Sequence, residues 1–136
     1  MDENLREDPY AFQELVGFTI EDWQQDYCRL TQPMEPHLAN RYGIPHGGVL
    51  ATLLDTALGY CVCYTGDPDN KQLVMTLSLN VQYLSVARGT KLITEGRKTG
   101  GGKSVAFAEG TVFDEHGTVV ATATGVFKYR QGKGKP

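Results

Sequence analysis

Nothing in this sequence advertises a metal, a disulfide framework, a nucleic acid or a membrane. Cysteine is scarce and odd in number, with Cys28, Cys61 and Cys63 only. The Cys-x-Cys pair has no second Cys or His cluster at metal-ligand spacing. The three thiols therefore read as buried or partly buried side chains, and no metal or cofactor is expected. Basic charge is also lacking: 13 Lys and Arg stand against 16 Asp and Glu, a net charge of −3, which disfavours nucleic acid and anionic membrane as partners. There is no long hydrophobic run. The longest, from Val49 to Val62, is broken by Asp55 and is too short to span a bilayer. The acidic opening, Met1 to Asp8, is not followed by an apolar stretch, so it is unlike a secretory signal, and a cytoplasmic protein is expected. Repeats are absent, and only the Gly- and Lys-containing tail, 131–136, reads as disordered. With 40% hydrophobic and 21% charged residues in 136, one ordinary globular domain over 1–136 is expected.

What is present divides into three kinds of pattern. Residues 1–16 read as an N-terminal helical extension, its helix capped by Asp8, carrying Pro9 in the first helical position and stopped by Gly17. Two short strands, 18–23 and 25–31, follow. Pro33, Pro36, Asn40, Gly43 and Pro45 then enforce an irregular loop. From Gly47 to about Tyr64 runs one helix, apolar on nearly every side and so expected to be buried. Beyond the turn residues Gly66 to Asn70 the period changes to two in four stretches, 73–84, 90–97, 104–113 and 118–129. The short separators between them predict consecutive antiparallel hairpins. The expected fold is α+β, a curved antiparallel sheet around one long central helix.

The chemistry concentrates where loop meets helix, at Pro45-His46-Gly47-Gly48. The first N–H groups of a helix have no intrahelical acceptor, and the aligned peptide dipoles place positive potential beside them. Glycines there allow a substrate to approach the backbone, and a carbonyl oxygen gaining negative charge would be stabilised. A plain loop-to-helix junction would look the same. Asp55 adds the second feature, because a carboxylate inside an apolar helix needs a cleft, an interface or a cationic partner. Arg88 and Arg97 are the candidates for such a pairing. Eight residues separate Gly47 from Asp55, about 12 Å along a helix at 1.5 Å per residue. For both to act on one carbonyl, two copies of the helix must lie antiparallel across a twofold axis, which predicts a homodimer with shared sites.

The pattern Asn40-x-x-Gly43-x-x-His46-Gly47-Gly48, with Asp55 in the helix and the strand Leu77-Ser-Leu-Asn-Val-Gln-Tyr-Leu-Ser, resembles hotdog-fold acyl-CoA thioesterases of the phenylacetate-degradation (PaaI) type. The likeness runs from about Gly17 to Tyr129. It implies hydrolysis of an aryl- or medium-chain acyl-CoA to free acid and CoA. The Gly47 N–H would polarise the thioester carbonyl, and Asp55 of the partner chain would activate water or attack directly. Asn40 and His46 would orient substrate and water, and Thr76 lies where related enzymes carry a hydroxyl that positions the water. A homodimer, and a tetramer built from two dimers, is implied as well.

Because CoA carries phosphates, a cationic patch with free N–H groups is expected at the cleft mouth. Gly48 and the glycine-rich turn holding Arg97, Lys98, Lys103 and Ser104 are the candidates, although an ordinary solvated hairpin has the same composition. Two other functions fit the same fold: a hotdog hydratase or dehydratase acting on an enoyl- or hydroxyacyl-CoA, and a non-catalytic acyl-CoA binding module. The carboxylate Asp55 argues against the module, since binding an anionic ligand has no use for it.

Overall fold

The computed structural model describes residues 1–130; the tail 131–136 lies outside the described residues. Two helices and six strands are present: α1 (Ala11–Val16), β1 (Thr19–Gln24), β2 (Tyr27–Pro33), α2 (Gly47–Cys63), β3 (Val74–Tyr83), β4 (Lys91–Gly101), β5 (Val105–Asp114) and β6 (Val119–Tyr129). Short 3-10 turns lie at Glu3–Leu5 and Pro36–Leu38. The strands form one antiparallel sheet in the order β1-β2-β4-β5-β6-β3, curved around α2. Gly17 ends α1 in the left-handed region (φ 96°) as expected, but the helix begins at Ala11 rather than Pro9. Tyr10 stays extended (φ −84°, ψ 166°) and turns its ring against Phe18.

Helix α2 packs its Leu50, Leu53, Leu54, Ala57, Leu58, Cys61 and Val62 face onto the sheet. It comes close because two sheet glycines face each other beneath it, Gly96 on β4 and Gly110 on β5. A Cβ on the first would meet the Ala57 carbonyl oxygen at 2.8 Å, and on the second the Leu58 side chain at 2.5 Å. The helix is not buried all round, however. Thr52, Asp55, Thr56, Gly59 and Cys63 form a half-buried stripe along the side away from the sheet centre.

The four later stretches are strands, and β4–β5 and β5–β6 are the expected antiparallel hairpins, but β3 and β4 do not pair. β3 pairs with β6 at the sheet edge, whereas β4 inserts between β2 and β5. Linker 84–90 therefore crosses the end of the sheet, and polar groups of the β5–β6 turn hold it there. Asp114 Oδ2 accepts from the Arg88 N–H (2.8 Å), and Glu115 accepts from the Thr90 N–H (3.0 Å) and hydroxyl (2.8 Å). These bonds keep the Asp114 carboxyl below its ordinary range and hold that of Glu115 at about 2. The expected glycine-rich turn also shrinks, because β4 continues through Gly101 and only residues 102–104 turn.

Candidate active site

His46 is the N-cap of α2: its Nδ1 accepts from the Gly48 N–H at 2.8 Å. The Nδ1 acceptor role places the ring proton on Nε2. The His46 carbonyl takes the Val49 N–H at 2.9 Å and the Leu50 N–H at 3.4 Å. Among the described residues that leaves the Gly47 N–H without an acceptor, at the positive end of the helix. Gly48, expected to offer its N–H to ligand, spends it on the cap.

Both glycines sit close to neighbouring side chains. A Cβ on Gly48 would stand 3.0 Å from His46 Nδ1, and one on Gly47 would stand 3.3 Å from the ring of Tyr83. Tyr83 also donates its hydroxyl to the Gly47 carbonyl (3.0 Å). It thus fixes the peptide next to the free N–H, a contact that the sequence, with seven tyrosines, did not single out.

Asn40 does less toward the cleft than expected. Its side-chain oxygen accepts from the N–H groups of Tyr42 (2.8 Å) and Ile44 (3.4 Å), and its backbone bonds Ile44 and Gly43. The oxygen is therefore an organiser of the loop, and its amide NH2 is the group left to meet a ligand. The His46 N–H closes the loop onto the Leu38 carbonyl (3.0 Å).

Asp55 is half-buried on the open stripe of α2. Among the described residues it forms no ion pair. The suggested pairing with Arg97 is absent, since Arg97 lies over the Tyr27 ring (4.6 Å) and beside Glu95 (3.8 Å). Asp55 Oδ1 instead accepts the Thr76 hydroxyl at 2.7 Å. A β-bulge makes this contact. Leu79 and Val81 pair with Gly125 and Ala123, which face the helix, and strict alternation would then turn Leu77 inward and Thr76 outward. The register slips between Thr76 and Ser78, so Thr76 pairs with the buried Phe127 and is aimed at α2.

Asp55 and Thr76 line one end of a cavity of about 320 Å³. It extends along α2 through Thr56, Gly59, Tyr60, Cys63 and Tyr64, with Phe127 behind. Trp23 meets Tyr60 and Tyr64 edge to face, at 5.1 and 5.5 Å between centroids, and its indole N–H is satisfied by the Tyr60 carbonyl at 2.8 Å. Burial pushes the Cys63 thiol up to about 12, so it lines the wall as a neutral group.

The proposed cationic patch is split. Within a strand, consecutive side chains take opposite faces, and Arg97 and Lys98 are both in β4. Only Lys103 and Ser104 remain together at an exposed turn.

Residues 42–121 match the family described as the Thioesterase superfamily. A medium/long-chain acyl-CoA thioesterase of Escherichia coli K12, YigI, is 26% identical over 129 residues, covering 85% of this chain and 83% of its own. Among solved structures, the BH2602 protein of Bacillus halodurans, determined with CoA, superposes with a TM-score of 0.79 at 28% identity, over 96% of this chain and 85% of that one. The E. coli PaaI protein superposes with a TM-score of 0.80 over 91% and 87% at 18% identity, a likeness of fold. The shared architecture is the hotdog fold, six antiparallel strands curved around one long helix. No helix among the described residues is long and apolar enough to cross a membrane.

Proposed function

Because the chain belongs to the thioesterase superfamily and is a thioester hydrolase, we propose that its substrate is an acyl-CoA and that its site is shared between two copies. The observation that carries the reading is that α2 offers one free N–H at its start, at Gly47, and one hydroxyl-supported carboxylate, Asp55, which lines an aromatic cavity.

The thioester carbonyl oxygen takes the Gly47 N–H, which stabilises the charge that builds on it during attack. Asp55 Oδ2, left free while Oδ1 holds the Thr76 hydroxyl, either draws a proton from water as its oxygen bonds to the acyl carbon, or attacks that carbon itself. The carbon–sulfur bond breaks and the CoA thiolate takes up a proton; on the second route water then hydrolyses the acyl–Asp55 anhydride, and on either route free acid and CoA leave. A thiolate is a good leaving group, so this sparse machinery suffices. Single turnover in heavy-oxygen water tells the two routes apart by whether label enters the Asp55 carboxylate.

The Gly47 N–H and Asp55 of one chain are about 12 Å apart along α2, so the carboxylate comes from the partner. Support for a dimer comes from β3, whose outer edge has no strand beside it and which exposes Met75, Leu77 and Tyr83. The cavity takes the acyl group; its volume of 320 Å³ stands at the small end of ligand pockets, about 300–1,000 Å³. That favours aryl or medium-chain acyl groups. Lys103 and Ser104 at their exposed turn receive the CoA phosphates.

Thiol release across aryl, short, medium and long acyl-CoAs tests the activity, and hydration of an enoyl-CoA without thiol release would sink it. Complementation tests the shared site. Gly47→Pro deletes the N–H at a helix position that tolerates proline, and Asp55→Asn deletes the carboxylate. Each variant alone is inactive; a mixed dimer of the two regains one intact site of its two. Mixtures as inactive as either parent would place the site within a single chain.

A further inference from the structure

One wall of the cavity comes from a segment outside the hotdog elements. Between the turn at Glu3–Leu5 and α1, residues 6–10 run past the mouth of α2's open stripe, and Leu5, Glu7 and Tyr10 join the cavity lining. The segment is anchored on the β1 side by Arg6, which bonds the Ile20 carbonyl (2.7 Å) and Glu3 (2.7 Å), and by the Met1 amino group beside Asp22 (3.5 Å). Glu7 reaches the opposite way. One carboxylate oxygen accepts from the Tyr60 hydroxyl at 3.3 Å, and the other lies 2.9 Å from Lys71 Nζ, in the stretch leading from α2 to β3. One side chain thus joins the N-terminal segment, α2 and the α2–β3 connection across the cavity.

Burial raises the Tyr60 phenol, and the Glu7 charge raises it further, so Tyr60 stays a donor to Glu7 over the working pH range. From Asp55 to Tyr60, where Glu7 meets α2, the cavity has about 7.5 Å of helix to run along, at 1.5 Å per residue. A straight alkyl tail longer than that, following the cavity along α2, runs into the Glu7 clasp and displaces its carboxylate from Tyr60 and Lys71. An acyl group ending in its own carboxylate meets a like charge there. A flat ring packs against the wall that Trp23, Tyr60 and Tyr64 form in edge-to-face contact with one another.

We propose that Glu7, held by Tyr60 and Lys71, is a specificity-determining residue that closes the acyl cavity, selecting compact uncharged acyl groups and turning away long alkyl and carboxylate-terminated ones. The proposal rests on the thioesterase reading above and names its substrate class. The clasp is partly open to solvent, with 31% of the Glu7 and 50% of the Lys71 side chain exposed. It contributes little to stability, and its loss is read in selectivity.

The experiment measures kcat/KM of the full chain and of Glu7→Ala, Glu7→Gln and Lys71→Ala with phenylacetyl-, hexanoyl-, hexadecanoyl- and adipoyl-CoA. Glu7→Ala raises the hexadecanoyl-to-phenylacetyl ratio by about tenfold or more, equivalent to ~1.4 kcal/mol. Glu7→Gln, which keeps the size and drops the charge, raises the adipoyl-to-hexanoyl ratio by about the same factor. Lys71→Ala, cut from the solvent side, shifts the first ratio in the same direction even where Glu7→Ala folds poorly. Ratios within about twofold of the parent in all three variants, or a parent that prefers hexadecanoyl-CoA, overturn the proposal while the thioesterase reading stands. A parent that releases thiol from none of the four removes that reading and this proposal together.

Discussion

Thr76 donates a 2.7 Å hydrogen bond to Asp55 across the gap between β3 and α2, and it does so because β3 slips one residue beside it. A hydrogen bond to a charged group is worth about 1.5–3 kcal/mol, so losing it misplaces the carboxylate without deleting it. Thr76→Val is expected to lower kcat about 10- to 100-fold with little change in KM. Thr76→Ser restores most of the rate, and Asp55→Asn abolishes it. Steady-state thiol release measures all three; a Thr76→Val enzyme at parental kcat would leave the hydroxyl without a part in positioning Asp55.

His46 has a structural duty that is separable from substrate. It caps α2 by accepting the Gly48 N–H, and removal of such a cap costs about 1 kcal/mol. His46→Ala is expected to lower Tm by roughly 2–6 °C for a domain of this size. His46→Asn, which keeps a capping oxygen, recovers most of that loss, as thermal unfolding followed by circular dichroism will show. If the His46→Ala protein melts with the parent, the cap is not a source of stability.

The sequence carried the centre of this molecule further than its edges. The helix from Gly47 was legible because breakers stop at Pro45 and a sustained apolar run begins, and Asp55 was conspicuous because a lone carboxylate there needs an explanation. The run β4-β5-β6 was legible from its short turns, but the place of β3 at the far edge was not. Turn residues at 87–89 mark where the chain bends but carry no information about which strand it bends toward, and the bonds from Asp114 and Glu115 that settle it are long-range. The role of Thr76 came only from the resemblance, since alternation along β3 would have turned its hydroxyl outward. The loop-holding bonds of Asn40 and the Tyr83 contact on Gly47 depend on side-chain directions that no spacing encodes. Glu7 was hidden for the same reason, in a segment read as a helix.

The clasp on linker 84–90 predicts an acid response. Glu115 is held at about 2, chiefly by the Thr90 N–H, against an ordinary value of 4.5. A carboxylate whose folded-state value is depressed adds stability that is complete above its unfolded value and is lost as pH falls through the folded one. Its contribution is therefore present above pH about 4.5 and disappears toward pH 2. Glu115→Gln is expected to unfold at lower urea than the parent at pH 7, and the two midpoints should converge as pH is lowered toward 2. A gap that stays constant with pH would mean that the charge on Glu115 does not hold the linker.

The last prediction concerns the edge of the sheet. Leu77 sits at the slip in β3, 54% exposed, on a strand whose other side has no neighbour among the described residues. An apolar residue on an open edge strand is suited to pairing with another copy, and a lysine there is the usual device against it. Leu77→Lys is therefore expected to shift the proposed dimer to monomer in sedimentation velocity. Because Gly47 and Asp55 of one chain are separated by about 12 Å of helix, that monomer should have no site to work with. Turnover should then rise with protein concentration as dimer re-forms, giving a specific activity that depends on dilution. A Leu77→Lys monomer with parental, dilution-independent turnover would show that one chain brings both groups to the thioester by itself.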